Sequence, residues 1–295
     1  MRVVACLNCE SVRYTEYGRV SASEKGLHRR YVRCADCGLV YANPQAEEEQ
    51  IAKFYALSYY DGIDLGYLKR KGYQRFLEAR LRTIRRFAHG LRVLDIGCGS
   101  GALLARLQTR GYEVVGIEPG SVTAAEDLSV RGVRIVRGAF PNAVLEGRQF
   151  DVVYSWHVIE HVSEPVGFLR AVKESLAPGG VAIIGTESIG WRVRFERVLS
   201  RIRGREMPVV TSSEHTIFPT ISVLRSMAQR AGLRVLRWRV YDDAAKGHVL
   251  AIKAGWHDLL RWPVQAVAYV GSAVLNRGGP KCEIVLAAPD GEVEG

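Results

Sequence analysis

The chain has 295 residues, of which 47% are hydrophobic and 24% charged, proportions that are typical of a globular protein and exclude a disordered one. Its six cysteines are too few for a disulfide scaffold, and no apolar run is long enough to span a bilayer. The net charge is +10, and no signal peptide separates Met1 from the first cysteine, so we expect a cytoplasmic protein with reduced thiols.

The first predicted element is built on two CxxC motifs. Each motif can present two thiolates from one tight turn, and two such turns form a tetrahedral zinc site. Ser11–Tyr17 and His28–Arg33 are predicted to form a hairpin between the motifs. Two redox pairs, or chance spacing, are the alternatives. We predict a zinc ribbon over residues 1–44, whose structural zinc is closed to substrate and is bound by Cys6, Cys9, Cys34 and Cys37.

Residues 45–90 are predicted to form a helical connector. Glu47–Glu49 would occupy its first turn, where the helix dipole favours acidic side chains. Further along, basic residues crowd the segment and Glu78 is the one acid among them. The basic residues are Lys69, Arg70, Lys71, Arg75, Arg80, Arg82, Arg85 and Arg86.

From residue 91 onwards, apolar strands alternate with helical segments. This alternation predicts an α/β domain with a parallel sheet that is covered by helices on both faces. A helix over Ile221–Ala231, ended by Gly232, precedes the last two strands, and the final strand is predicted to close the sheet. The predicted strands are Arg92–Asp95, Val114–Glu118, Val133–Arg137, Phe150–Ser155, Gly180–Gly185, Leu233–Tyr241 and Cys282–Ala287.

The loop after the first of these strands has an unusual spacing of glycines. Asp95 ends the strand and is followed at alternate positions by Gly97, Gly99 and Gly101. Glycine lets a backbone turn tightly and approach a ligand closely. Glu118 ends the next strand, where an acid can accept hydrogen bonds from both hydroxyls of a ribose. Dinucleotide-binding folds use a similar loop, so the glycines alone leave the cofactor open.

The Asp-x-Gly-x-Gly-x-Gly pattern resembles the first motif of class I S-adenosylmethionine-dependent methyltransferases. Phe150–Val162 resembles their fourth strand and the loop after it, and Leu176–Ile184 resembles the turn into their fifth strand. The resemblance implies a Rossmann-like methyltransferase domain over residues 91–290. A Rossmann-like domain that binds something else, or nothing, is the alternative. The cofactor contacts that the resemblance implies are Asp95, Gly97, Gly99, Gly101, Glu118, Ala139, Phe140 and His157.

The segment Cys37–Pro44 resembles part of the bacterial methyltransferases that carry an N-terminal zinc ribbon. Many of those enzymes modify saccharides or secondary metabolites. The resemblance therefore extends over nearly the whole chain, and it implies a small-molecule or saccharide acceptor.

Methyl transfer to a hydroxyl also requires that a proton be removed, and histidine has a suitable pKa. Glu214–Phe218 resembles a Glu-His-x-x-Phe segment of sugar C-methyltransferases, whose histidine is positioned as a base. His215 is therefore the first candidate catalytic residue and His161 the second. Glu160 is interpreted as a structural acid that orders its loop. The alternatives are packing roles for both histidines and a site that works by positioning alone.

Two predicted insertions suggest where the acceptor is found. A lid over residues 189–220 contains a basic amphipathic helix at Trp191–Arg205, and an apolar helical insertion over 255–277 contains Leu259–Leu275 with basic flanks. Helices of this kind bind anionic membrane surfaces. They predict a lipid-linked or phosphorylated acceptor and peripheral contact with the inner face of the membrane. The alternative is that both apolar faces are covered by the protein itself.

Two other classes of protein remain as alternatives. A nucleic-acid methyltransferase would use the basic residues to bind phosphates, but no Pro-Pro-Tyr or Pro-Pro-Phe motif follows the fourth strand, so no nucleic-acid partner is expected. The other is a non-catalytic cofactor-binding or scaffold protein, and the intact cofactor motif argues against it.

Overall fold

The computed structural model describes residues 2–19, 30–46, 50, 70–120, 133–189, 215–241 and 281–289. In chain order, the strands are β1 (Tyr14–Arg19), β2 (Arg30–Cys34), β3 (Val40–Ala42), β4 (Arg92–Ile96), β5 (Glu113–Glu118), β6 (Arg134–Arg137), β7 (Phe150–Trp156), β8 (Leu176–Glu187), β9 (Ile217–Phe218), β10 (Arg234–Tyr241) and β11 (Lys281–Ala287). The helices are α1 (Lys71–Phe87), α2 (Ala102–Gln108), α3 (Pro165–Glu174) and α4 (Ile221–Arg230), with a 3-10 turn at Ala143–Leu145.

A seven-stranded sheet carries the larger part of the fold, in the order β10-β11-β8-β7-β4-β5-β6. The strands from β4 to β8 are parallel, whereas β11 is antiparallel to both β8 and β10. The predicted Rossmann-like α/β class is therefore confirmed. One detail of the prediction was wrong. The last strand does not close the sheet, because β11 lies between β8 and β10 and pairs along both of its edges.

Helices cover both faces of this sheet because side chains alternate along each strand. In β4, Val93 packs in a cluster with Leu81 of α1, whereas its neighbour Leu94 packs in a second cluster with Leu169 of α3 and Leu224 of α4. All five side chains are almost completely buried. The two clusters hold the ends of the parallel strands at fixed positions, and the loops that follow those strands form the candidate site.

The smaller sheet has four antiparallel strands in the order β1-β2-β3-β9. Strands β1 and β2 form the predicted hairpin, and β1 begins later in the chain than the sequence predicted. The fourth strand comes from a distant part of the chain, since Ile217 pairs with Tyr41, and Phe218 with Val40. The cysteine-rich segment is thus joined to the chain just before α4.

Arg80 of the connector helix is buried and does not belong to an exposed basic face. Its Nη1 atom lies 2.6 Å from Oε2 of Glu283 on β11, and both side chains are less than 5% exposed. The Nε atom of Arg239 on β10 lies 2.7 Å from Oε1, the other carboxylate oxygen of Glu283. The guanidinium of Arg80 also lies 3.5 Å from the ring centroid of Trp156. A buried charge requires such partners, because leaving water is costly for it.

Candidate active site

The order of the strands determines where a ligand can bind. From β4 the chain proceeds outward through β5 and β6, then returns to the other side of β4 to form β7 and β8. In open α/β sheets the crevice that binds ligands lies where the strand order reverses, which in this sheet is at the carboxyl ends of β4 and β7. Gly97 follows β4 and His157 follows β7, so both lie at this crevice.

The glycine loop after β4 uses backbone conformations that favour glycine. Gly97, Gly99 and Gly101 have φ values of 72°, 52° and 67°. A Cβ atom on Gly97 would also lie 2.4 Å from Cγ2 of Val158, in the loop after β7. The loop is therefore closely packed against its neighbour, and only glycine fits at its first turn.

Glu118 holds this loop in place from the end of β5. Its Oε2 atom accepts a hydrogen bond from the backbone N–H of Gly99 at 2.9 Å, and Oε1 accepts one from Gly120 at 3.0 Å. The carboxylate is nearly buried, and each oxygen keeps a second lone pair for a ligand hydroxyl. Asp95 is buried beside it, and burial, together with the charge of Glu118, raises the pKa of Asp95 well above its usual range.

The loop after β6 contains the next two predicted contacts. Gly138 donates its backbone N–H to the carbonyl of Glu118 at 3.0 Å, which brings this loop beside the end of β5. Ala139 is exposed, whereas Phe140 is half-buried and packs edge-on against Phe168 of α3, with ring centroids 5.7 Å apart. The loop offers an apolar surface next to Glu118.

His157 occupies an unusual backbone conformation and is held by an ionised acid. Its φ is 57°, a left-handed value that is uncommon for a residue other than glycine and costs roughly 1–3 kcal/mol. The Nδ1 atom lies 2.7 Å from Oε1 of Glu160, and the other carboxylate oxygen accepts a hydrogen bond from Thr186 of β8 at 2.8 Å. His157 is 30% exposed while Glu160 is fully buried, so the imidazole lies between the acid and the crevice.

The charge of Glu160 is fixed by its neighbours. Burial by itself raises the pKa of this carboxyl group. The hydrogen bond from His157 and the charges of His157, His161 and His215 act in the opposite direction and lower the pKa to about 2. Glu160 is therefore ionised at neutral pH, although no water surrounds it.

The two candidate bases lie next to each other. The rings of His161 and His215 are perpendicular, with centroids 4.8 Å apart. The chain segments that carry them are joined by hydrogen bonds: the carbonyl of Glu160 accepts from the N–H groups of Thr216 and Ile217 at 2.6 and 3.1 Å. Thr216 Oγ1 also donates to the carbonyl of His161 at 3.1 Å. The structure thus brings together residues that are far apart in sequence.

A hydrogen bond from the small sheet reaches the same place. Tyr31 of β2 is completely buried, and its hydroxyl donates to the backbone carbonyl of His215 at 2.6 Å. Neither Tyr31 nor Thr186 was anticipated from the sequence. No spacing signals them, because each acts on a residue that lies far along the chain.

The four cysteines of the N-terminal motifs form one cluster. Their sulfur atoms all lie within 4.8 Å of one another, with Cys6 and Cys37 at 3.4 Å and Cys9 and Cys34 at 3.5 Å. The hydrogen bond with Cys6 lowers the pKa of Cys37 to about 4. Glu10 and Gly38, the residues that follow the two motifs, both have left-handed φ values, of 63° and 76°. The two turns are therefore alike and are compatible with tetrahedral zinc.

The predicted insertions lie almost entirely outside the described residues. Both the Trp191–Arg205 segment and Leu259–Leu275 fall outside the described ranges. Among the helices of the described ranges, none has the length and apolar character needed to cross a membrane.

The larger part of the chain matches a known family model. Residues 67–237 match a family described as a methyltransferase domain. The match includes α1, the glycine loop, Glu118 and the histidine cluster. The two CxxC motifs lie outside it.

Curated relatives match a shorter part of the chain. A ubiquinone biosynthesis O-methyltransferase from Ruegeria pomeroyi is 40% identical over 139 residues, which is 45% of this chain and 55% of the relative. The enzyme of the same name from a Caulobacter species is 36% identical over 140 residues, with the same coverage. The chain thus spans about half the length of the curated relatives it matches.

Solved structures match over much of the chain, at low sequence identity. An S-adenosylmethionine-dependent methyltransferase from Archaeoglobus fulgidus is 18% identical, with a TM-score of 0.49 over 76% of this chain and 99% of the other. A methyltransferase from Mesorhizobium loti is 17% identical, with a TM-score of 0.48 over 74% and 99% of the two chains.

Proposed function

Because the chain belongs to the methyltransferase domain family, we propose that this S-adenosylmethionine-dependent enzyme methylates an oxygen of a small-molecule acceptor. The observation that carries the proposal is the pairing of the glycine loop and Glu118 on one side of the crevice with a histidine cluster on the other. One side suits a nucleoside cofactor and the other suits the removal of a proton. The curated relatives, which are named as O-methyltransferases, support oxygen as the methylated atom.

We assign cofactor binding to the crevice between the loops after β4 and β7. Gly97, Gly99 and Gly101 would wrap the amino-acid part, and Glu118 would accept hydrogen bonds from the ribose hydroxyls. Asp95 would fix the loop from below, and the loop with Ala139 and Phe140 would cover the adenine. The bound cofactor supplies a methyl group that is already activated, so the protein needs to orient it and to exclude water.

The acceptor would bind on the histidine side of the crevice. His161 and His215 would serve the removal of the acceptor's proton, and His157 would contact the cofactor while its Nδ1 atom bonds to Glu160. Glu160 keeps His157 oriented, because a buried acid that accepts from Nδ1 fixes the ring and leaves Nε2 to face the crevice. These roles extend the sequence prediction for His157 from a cofactor contact to a link between the two sides.

We propose that the four-cysteine cluster binds one structural zinc. Cys6, Cys9, Cys34 and Cys37 fill all four positions of a tetrahedral site, so no position remains for substrate. The supporting observation is that the sulfur atoms already lie close together in two turns of similar conformation. The zinc would hold a segment that has little apolar core of its own.

For the acceptor itself we propose a small molecule or a saccharide with a free hydroxyl. A lipid-linked or phosphorylated acceptor, with the enzyme in peripheral contact with an anionic membrane, is the second candidate. The net charge of +10 and the basic amphipathic segment at Trp191–Arg205 favour it. Sedimentation with anionic vesicles that weakens as salt is added would support this second candidate.

Two measurements test the proposed function. Calorimetric titration of the full chain with S-adenosylmethionine should show one binding site. Label should then pass from methyl-labelled cofactor to a small-molecule or saccharide fraction, and not to RNA or DNA. A folded protein that does not bind the cofactor would refute the proposal. Label found in nucleic acid alone would show that the acceptor is a nucleic acid and not a small molecule or saccharide.

A further inference from the structure

We propose that Glu160, His161 and His215 form a second metal centre, for a divalent first-row cation, that is separate from the four-cysteine cluster. Each of the three side chains offers one ligand atom, and these atoms all lie within 4.8 Å of one another. The role that we give this metal in methyl transfer rests on the proposed function, but the binding of the metal is independent of it.

The first argument is the chemistry of the three donors. Two imidazoles and one carboxylate are the ligand set of catalytic zinc sites, which keep an open position, and of the facial triad that binds iron. None of these three donors is a thiolate, the soft ligand of the four-cysteine cluster. The two clusters should therefore differ in the cations that they select and in their spectra.

The second argument is that the ligands are held by residues around them. In metal sites a ligating carboxylate is itself hydrogen-bonded, and such bonds orient it. Here Oε2 of Glu160 accepts from Thr186 at 2.8 Å, and Oε1 lies 2.7 Å from Nδ1 of His157. Each carboxylate oxygen retains a further lone pair for a cation.

The third argument concerns the backbone that carries the ligands. The carbonyl of Glu160 accepts from two successive N–H groups, those of Thr216 and Ile217, so the segments around residues 160 and 215 are fixed to each other. Tyr31 fixes the carbonyl of His215 from the small sheet. Bonds that fix the backbone in this way are expected where two imidazoles must bind one cation.

The site has the exposure of a catalytic centre. Glu160 is fully buried and His215 is 8% exposed, whereas His161 is half-buried at the crevice. A cation bound to the three would therefore be largely surrounded by protein, with His161 as its most exposed ligand. Three protein ligands leave at least one coordination position open for an acceptor oxygen.

A cation in this place explains how His161 and His215 can serve proton removal without acting as bases. A hydroxyl bound to a divalent cation has a lowered pKa and loses its proton to solvent at neutral pH. The acceptor oxygen then forms the new bond to the methyl carbon as the carbon–sulfur bond breaks, and the electron pair of that bond stays on sulfur. The cation is neither oxidised nor reduced.

The test uses Co²⁺ as the probe and the purified full chain. Co²⁺ bound by imidazoles and a carboxylate gives visible d–d bands without the intense thiolate charge-transfer bands of a cysteine site. We expect the wild-type chain to bind one such Co²⁺. His161→Ala and Glu160→Gln should each weaken that binding by about tenfold or more. The matched control is His89→Ala, an exposed histidine outside the cluster, which should bind Co²⁺ as the wild type does.

Calorimetry with S-adenosylmethionine on His161→Ala separates loss of a ligand from loss of the fold, because this variant should keep the cofactor affinity of the wild type. Glu160→Gln also removes the ionised partner of His157, so its fold is checked by urea denaturation instead. Equal Co²⁺ affinity in the wild type and both variants would overturn the metal centre, as would Co²⁺ spectra that show thiolate bands alone. If Co²⁺ fails to bind while the cofactor binds and is consumed, the proposed function stands. If Co²⁺ binds and the cofactor does not, the metal centre stands and the proposed function fails.

Discussion

The two sides of the crevice, one proposed for the cofactor and the other for the acceptor, are built in different ways. The cofactor side is formed by one β-α-β unit, from Asp95 at the end of β4 to Glu118 at the end of β5. The acceptor side takes Glu160, Thr186 and His215 from three separate segments and is tied to the small sheet by Tyr31. The first side depends on local sequence, whereas the second depends on the whole fold. Changes to the small sheet should therefore affect the acceptor side and leave the cofactor side intact.

The largest expected effect comes from removal of the four-cysteine cluster. Cys34→Ser removes one ligand, and structural zinc in small domains binds with about 10–16 kcal/mol. We expect loss of zinc by elemental analysis and loss of nearly all methyl transfer, because the small sheet no longer holds His215. Cofactor affinity in the folded fraction should change little.

The matched control for this variant is Asp36→Asn, which lies between Cys34 and Cys37 and leaves all four thiols in place. It should retain zinc and activity. A Cys34→Ser protein that loses cofactor affinity as fully as activity would show that the two sides are not independent.

The next effect is the converse, a change confined to the cofactor side. Glu118→Ala removes the acceptor of two backbone hydrogen bonds and of the predicted bonds from ribose, so it should weaken cofactor binding by about 2–3 kcal/mol. Calorimetry measures this directly. Co²⁺ binding at the histidine cluster should be unchanged.

Glu113→Ala is the control for Glu118→Ala, since Glu113 lies at the exposed start of the same strand. Its cofactor affinity should equal that of the wild type. Unchanged affinity in a folded Glu118→Ala protein would remove Glu118 from the cofactor site.

A smaller effect is expected where the small sheet meets the acceptor side. Tyr31→Phe deletes the hydroxyl that donates to the carbonyl of His215 and leaves that buried carbonyl without this bond, at a cost of about 1–3 kcal/mol in the free energy of unfolding. Urea denaturation measures the cost. Methyl transfer should fall while cofactor affinity stays constant.

Tyr14→Phe, at an exposed tyrosine of β1, should change neither quantity. Should Tyr31→Phe keep full methyl transfer despite its lower stability, the bond would be structural only.

The smallest effect is expected at the opposite end of the sheet, away from both sides of the crevice. The hydrogen bond from Arg92 lowers the pKa of Asp151, so the pair stabilises the fold above the usual aspartate pKa and is lost as the pH falls. Because the pair is partly exposed, Asp151→Asn should cost less than about 1 kcal/mol at pH 7 and nothing once the pH is below the lowered pKa. Urea denaturation at both pH values checks this. A change in cofactor affinity would contradict the separation of the two ends.

The strands and the glycine turn of the cofactor side were predicted well because their signals are local. The spacing of three glycines requires left-handed turns, and Gly97, Gly99 and Gly101 have them. Apolar runs marked the parallel strands, although β8 begins earlier than predicted, at Leu176, because the turn before Gly180 also pairs with β7. The binding role of Glu118 stays a prediction, but its place at the end of β5 is confirmed.

The acceptor side was predicted only in part, because its contacts join distant segments. His161 and His215 were singled out separately, and nothing in the sequence indicated that their rings meet. Arg80 belonged to a run of basic residues that would normally be exposed, yet its partner Glu283 lies 203 positions further along the chain. Burial of a charge is decided by such a partner, and composition does not reveal it.

The position of β11 has a consequence for synthesis of the chain. It is the last of the described strands, yet it lies between β8 and β10, so no nascent chain that ends before Lys281 can join β10 to the rest of the sheet. Until β11 emerges, one edge of β8 remains open to pairing with other strands. The carboxylate of Glu283, which Arg80 and Arg239 both require, arrives at the same moment. Ribosome-bound chains of increasing length should therefore gain protease resistance in one late step.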